Sequence, residues 1–134
     1  MSTWNPTVFN NEEARDWLDD LVDERDIYFI HNTLEIIADY PPEEKPESWD
    51  CCCALAAAEM VAAAKGNPPG DFPSEAREWL DAYGLDVDNE VMSLTRKAID
   101  RIQKSSLLKD ELEAGGGLGQ WQSAVSDLKK RLGL

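Results

Sequence analysis

The chain has 134 residues, of which 27 are acidic and 13 basic, so its net charge at pH 7 is −14. This length suits one domain whose core needs no metal or disulfide. The charge disfavours direct binding to nucleic acid or to anionic membranes, and no apolar run is long enough to span a bilayer. The first residues lack a secretion-signal pattern, so we expect a single cytoplasmic domain over residues 1–134.

The first predicted helix has a complete start signal. Asn10 is followed three residues later by Glu13, and Phe9 stands opposite Ala14. These pairs are a capping box and a hydrophobic staple. The apolar stripe that continues at helical spacing consists of Ala14, Trp17, Leu18, Leu21 and Val22.

The opposite side of this helix carries Asp16, Asp19, Asp20 and Asp23. Residues 1–50 hold 14 acids and 3 bases, a net charge of −11, whereas residues 51–134 hold 13 acids and 10 bases, a net charge of −3. The acidic pole is therefore N-terminal. Because charges across an interface are complementary, a basic protein is the partner that this acidic face predicts.

Two further helices are predicted before residue 66. The second covers about residues 26–39 and stops at Pro41 and Pro42. Its inward residues are predicted to be Ile27, Ile30, Leu34 and Ile37. After a charged loop over residues 43–47, Ser48 is the predicted cap of a long Ala-rich helix that ends before Gly66.

The second half of the chain repeats the helical pattern. A fourth helix ends at Gly84, Asp88 caps a fifth, and a short helical piece covers residues 106–114. The predicted inward residues are Ala76, Trp79, Leu80 and Tyr83, then Val91, Thr95, Ala98 and Ile102. Glycines 115–117 and 119 predict a joint before a last helix with Trp121 and Leu132 at its ends. Since no segment alternates at period two, we predict an all-α, compact bundle of six or seven helices around the Ala-rich helix.

Glu59 is the only charged residue between Cys51 and Ala64. Burying an unpartnered carboxylate costs several kcal/mol, so it must be hydrogen-bonded, paired with a base, protonated or at a cavity edge. We favour bonds from backbone NH groups or from the Trp4 indole, which would hold the N-terminal segment. The predicted structural anchor comprises Glu59, Trp4, Phe9, Asn10 and Trp17. A catalytic or ligand-binding role for Glu59 is the alternative.

Metal and cofactor sites are not predicted. Cys51, Cys52 and Cys53 are adjacent, and neighbours on a helix point about 100° apart, which argues against a zinc site or a disulfide framework. We expect buried, reduced thiols and no cofactor.

The opening Trp-Asn-Pro-Thr-Val-Phe-Asn-Asn-Glu-Glu-Ala-Arg-Asp-Trp-Leu, residues 4–18, resembles the start of a bacterial family known as domain of unknown function 4259. The likeness continues through the Ala-Ala-Glu59 helix and Trp79 to the last helix. The positions that fit the family pattern are Trp4, Phe9, Asn11, Asp16, Trp17 and Glu59. Asn5 and Thr7 stand where the family usually has glycine. The resemblance implies an all-helical fold and brings no established activity.

Three functions follow as hypotheses. The first is a small, non-enzymatic interaction module, immunity-like or regulatory, that binds a basic protein and is a monomer or homodimer. The second is a metal-dependent nucleotide hydrolase, since all-α pyrophosphatases use carboxylate pairs such as those at 13 and 16, 44 and 47, or 75 and 78. The third is a homodimeric scaffold in which the Ala-rich helix packs against its copy.

Overall fold

Seven α-helices account for most of residues 12–24, 28–70 and 72–134, the part of the chain that the computed structural model describes. The helices are α1 (Glu12–Glu24), α2 (Tyr28–Ala38), α3 (Ser48–Ala64), α4 (Ser74–Tyr83), α5 (Asn89–Lys104), α6 (Leu107–Gly115) and α7 (Leu118–Leu132). No strand occurs within these ranges, and the predicted all-α class is confirmed. None of these helices combines the length and apolarity needed to cross a membrane.

The Ala-rich helix α3 lies at the centre of the packing. It contacts α1, α2, α5, α6 and α7. Every residue from Cys51 to Ala63 is buried. A helix that is apolar all round is stable only where protein surrounds it, and small alanine side chains let neighbouring helices approach closely. From Cys51 to Ala63, the surface of α3 is therefore covered by its own chain.

The predicted inward faces are mostly buried, with two exceptions. On α1 the buried residues are Ala14, Trp17, Leu18 and Leu21. Val22 is 39% exposed and Tyr83 is 45% exposed, although both were predicted to face inward. Each stands in the last turn of its helix. Helical spacing gives the direction of a side chain but not where the neighbouring element ends. Ile27 and the capping residues Phe9 and Asn10 lie outside the described residues.

Two of the described helix starts have a side-chain cap, whereas the cap that Ser48 was predicted to give α3 is not formed. Asp88 Oδ1 accepts a hydrogen bond from the Val91 backbone NH at 2.9 Å, as predicted. Ser106 Oγ likewise accepts from the NH of Lys109. Ser48 was predicted to cap α3, but it is the first helical residue, and the N-cap, Glu47, makes no side-chain cap bond. Ser48 Oγ instead donates to Glu111 Oε2 at 2.7 Å, so the hydroxyl joins α3 to α6.

The loop between α2 and α3 is fixed by a side chain of α5. The Arg101 guanidinium donates to the carbonyl oxygens of Tyr40 at 3.0 Å and Pro41 at 2.8 Å, and also to that of Glu44. Pro46 is buried, and its carbonyl accepts from the Leu107 NH at 2.9 Å. The loop carries much exposed charge, as predicted, but its backbone is held at both ends. It therefore positions the start of α3.

The joint between α6 and α7 is shorter than the glycine pattern predicts. α6 ends at Gly115 and α7 begins at Leu118, so Gly119 lies in the first turn of α7. Gly116 has φ +83°, a left-handed conformation that a residue with a Cβ adopts only with strain. Gly116 thus accounts for the sharp end of α6.

Candidate functional site

The acidic side of α1 is a solvent-facing row of carboxylates. Asp16, Asp19, Asp20 and Asp23 are all exposed, and the opposite side of the helix packs into the core. Within the part of the chain that the structure describes, none of these four carboxylates takes part in an ion pair. The last turn of α1 also contains no base, although the partial negative charge of a helix C-terminus favours one there. The row therefore presents four exposed carboxylates on one side of α1.

A groove of about 300 Å³ opens between α1, α2 and α3, next to this row. Its main lining residues are Trp17 and Asp20 from α1, Phe29, Thr33 and Ile36 from α2, and Trp49, Asp50 and Cys53 from α3. We call this the α1–α3 groove. The groove brings together Trp17 of the predicted structural anchor and Asp20 of the predicted acidic face. The other three aspartates of that face, Asp16, Asp19 and Asp23, do not line it.

The aromatic wall of the groove is held by hydrogen bonds. The rings of Trp17 and Phe29 stack with centroids 5.7 Å apart. The Trp17 indole NH donates to Thr33 Oγ1 at 2.9 Å, and the Thr33 hydroxyl donates to the Phe29 carbonyl at 2.8 Å. Because the Trp17 indole NH and the Thr33 hydroxyl both have hydrogen-bond partners, the wall is formed without a ligand.

The rim of the groove combines apolar exposure with negative charge. Ile36 is 54% exposed and Trp49 is 49% exposed. Burial, and then the neighbouring Glu47, raise the pKa of the half-buried Asp50 above its ordinary value. Burial first, then Asp50 of α3 and carboxylates of α1, raise the pKa of the Cys53 thiol to about 12. A group that is both apolar and cationic is the chemical complement of this rim.

Glu59 lies elsewhere and has a different environment. Its side chain is buried and receives a bidentate pair of hydrogen bonds from Arg131 of α7, Nη1 to Oε2 at 2.7 Å and Nη2 to Oε1 at 2.9 Å. Arg131 Nε also donates to Asp127 Oδ2 at 2.8 Å. The bond to Glu59 raises the pKa of Arg131, which therefore stays charged. Pairing with a base was one of the open possibilities for Glu59, but the sequence analysis did not name Arg131.

Further bonds join the same ends of α3 and α7. Lys65 Nζ donates to the Leu132 carbonyl at 2.6 Å, and Asn67 Nδ2 donates to the Arg131 carbonyl at 3.0 Å. Together with the Glu59–Arg131 pair, these hydrogen bonds connect α3 and the residues after it to the end of α7. The predicted bond to Trp4 lies outside the described residues, so the anchoring of the N-terminal segment stays a prediction.

The cysteines and the acidic side chains are the other groups to which the sequence draws attention. The three cysteines are free and buried, as predicted. No group of three His, Cys, Asp or Glu side chains within residues 12–24, 28–70 and 72–134 is placed to hold a metal ion. The nucleotide hydrolase stays an untested hypothesis.

Sequence reasoning missed most of the groove. Trp49, Asp50 and Ile36 were given no role in the sequence analysis. The available signal was the apolar pair Ile36 and Ile37 on α2: neighbouring side chains on a helix point about 100° apart, so one of the two can leave the buried face. Ile37 is buried and Ile36 is not.

Comparison with protein families identifies a match over most of the chain. The model of the family described as Domain of unknown function (DUF4259) matches residues 2–124. The match covers α1 to α6 and ends within α7, so Arg131 lies beyond it. No curated protein and no solved structure matches the chain.

Proposed function

Since this chain belongs to the DUF4259 family, whose function is unknown, we propose its role from its own surface: a non-enzymatic protein-interaction module, immunity-like or regulatory. Its acidic α1 side binds a basic protein partner. The family supplies no activity to transfer, so the surface chemistry of the described residues has to carry the proposal.

The observation that carries it is the row of α1 carboxylates without ion pairs among the described residues. Two acids of other helices are used internally: Asp110 pairs with Lys45 at 2.7 Å and Asp100 with Lys129 at 3.1 Å. The α1 acids instead face solvent on a helix fixed by its buried side. A fixed row of like charges steers an oppositely charged protein toward it and selects the orientation of docking.

The cysteines support a cytoplasmic location for this module. Cys51, Cys52 and Cys53 are free and sit in the central helix. Adjacent free thiols persist in a reducing compartment, whereas secreted proteins tend to use cysteine in disulfides. We therefore propose that the partner is met in the cytoplasm.

The proposal is tested by comparing two chains with the same change in net charge. The first is the triple variant Asp16→Asn, Asp19→Asn and Asp23→Asn on α1. The matched control is Glu75→Gln, Glu78→Gln and Asp81→Asn on α4, whose three carboxylates are also exposed. Tagged wild type captures binding proteins from cells that express the chain, mass spectrometry identifies them, and calorimetry measures the purified pair.

We expect the α1 variant to bind roughly tenfold more weakly and the α4 variant to bind like wild type, because only the α1 charges lie in the interface. The wild-type affinity should fall as salt is raised from about 50 to about 300 mM, since screening shortens the range of charge interactions. A complex that ignores salt, or that both variants weaken equally, would contradict the proposal. So would a partner that binds only the C-terminal half.

A further inference from the structure

We propose that the α1–α3 groove receives one arginine side chain of the basic partner. This inference rests on the proposed function and specifies what the acidic side of the molecule recognises. The remaining α1 carboxylates would attract the partner, and the groove would select the residue type. The two tasks use different residues, since Asp20 lines the groove and Asp16, Asp19 and Asp23 do not.

The shape of the groove fits a single long side chain. Its volume of about 300 Å³ is at the lower end of the range for small-molecule pockets, too little for a helix or a folded segment. Trp49 and Ile36 leave about half of their surfaces exposed at its rim. The aliphatic stem of arginine buries such surface while its charged head stays at a polar end.

The carboxylates that line the groove favour a cationic ligand. Asp20 and Asp50 both line it, and within the described part of the chain neither has an ion-pair partner. Asp50 is half-buried, so its carboxylate has lost part of its hydration without gaining a counter-charge from the residues that the structure describes. A guanidinium offers several NH donors in one plane and bonds a carboxylate in a fork. It also stacks on aromatic faces, which an ammonium group does less well.

The groove exists before the ligand arrives. The Trp17 and Phe29 rings are stacked, and Thr33 bonds both residues. An arginine would therefore meet a formed wall, and little protein order has to be created on binding. The exposed Trp49 ring at the rim is the contact most suited to cover the guanidinium face.

The test uses three blocked tripeptides and nuclear magnetic resonance of the folded chain. The peptides are Gly-Arg-Gly, Gly-Lys-Gly and Gly-citrulline-Gly; citrulline keeps the planar head of arginine and lacks its charge. The indole NH signal of Trp49, assigned from its loss in Trp49→Phe, reports on the groove. We expect the arginine peptide to shift this signal with saturation, the lysine peptide to bind about threefold more weakly, and the citrulline peptide to leave it unmoved.

Two variants place the binding in the groove. Asp50→Asn should weaken the arginine peptide about tenfold, because it removes the partly desolvated carboxylate. Glu78→Gln, which removes an exposed charge of α4 outside the groove, should leave the affinity within about twofold of wild type. Equal shifts by the arginine and citrulline peptides, equal binding of arginine and lysine, or an unchanged affinity in Asp50→Asn would overturn the inference.

This outcome is separable from that of the proposed function. If the peptides fail in the groove while the α1 triple variant still loses its protein partner, the acidic side binds without an arginine pocket. If the arginine peptide binds as expected while the α1 triple variant keeps its partner, the pocket stands and the steering role of α1 is wrong.

Discussion

The buried pair Glu59–Arg131 yields the sharpest stability prediction. Glu59 lies in the C-terminal half of α3 and Arg131 in the last turn of α7, 72 residues apart, so the pair links the central helix to the last helix. Arg131→Met keeps a long apolar stem of similar shape and removes the guanidinium. Glu59→Gln keeps the shape of the acid and removes its charge.

The two variants should not cost the same. Glu59 is 3% exposed and Arg131 is 18% exposed at the side chain. Arg131→Met strips the charged partner from the more buried group, and we expect a loss of about 3 kcal/mol, the lower end for breaking a buried pair because Arg131 is not fully enclosed. In Glu59→Gln the arginine keeps Asp127 and some contact with water, so the loss should be about 1–2 kcal/mol.

Urea denaturation followed by circular dichroism measures both values, and a thermal scan should show a decrease of roughly 10 °C for Arg131→Met. The matched control is Lys129→Met on the same helix. Lys129 bonds Asp100 and Gln103 at the surface, and losing an exposed pair costs less than about 1 kcal/mol. The double variant completes a cycle whose coupling free energy should be about 2 kcal/mol.

A coupling below about 0.5 kcal/mol would show that the pair adds no stability beyond its separate side chains. Equal losses in Arg131→Met and Lys129→Met would refute the claim that burial sets the cost. An unchanged melting temperature on removing the Glu59 side chain would contradict a structural role for that residue altogether.

Three further predictions concern single positions. Thr33→Val should destabilise the fold by about 1–2 kcal/mol in urea, because the buried Trp17 indole NH loses its acceptor. Gly116→Ala should cost about 1 kcal/mol in the same assay, because its backbone has φ +83°. Gly119→Ala, inside α7 with no atom near its Cβ position, should stabilise the fold by about 0.5 kcal/mol. The opposite order of stabilities would refute this explanation of the two glycines. Asp50→Asn should raise the melting temperature at pH 7. Burial raises the pKa of Asp50 in the folded state, so ionisation of Asp50 destabilises the fold as the pH rises from the ordinary pKa through the raised one. Below the ordinary pKa, Asp50 is protonated in both states, and the advantage of asparagine should vanish. An advantage that persists in acid would contradict this prediction.

The candidate site was only half visible in the sequence. The acidic side of α1 follows from helical spacing and charge, and Trp17 and Asp20 were named there. Trp49 and Asp50 follow a proline-bearing loop, and their position depends on how Arg101 and Leu107 hold that loop from other helices. Spacing within one element cannot report such contacts. The partner of Glu59 was hidden for the same reason, because Arg131 reads as a base that complements its own helix dipole.

The order of patterns along the chain determined the helices and the burial of α3. Periodicity is local, and the prolines, glycines and caps that end each helix act within a turn of where they stand. An uninterrupted apolar helix also has to be enclosed, whatever encloses it. Which side chains meet across the helices was decided by tertiary packing alone. Glu59 finds Arg131, and Trp17, Thr33 and Trp49 come to border one groove, because distances between residues far apart in sequence depend on how all the helices pack at once.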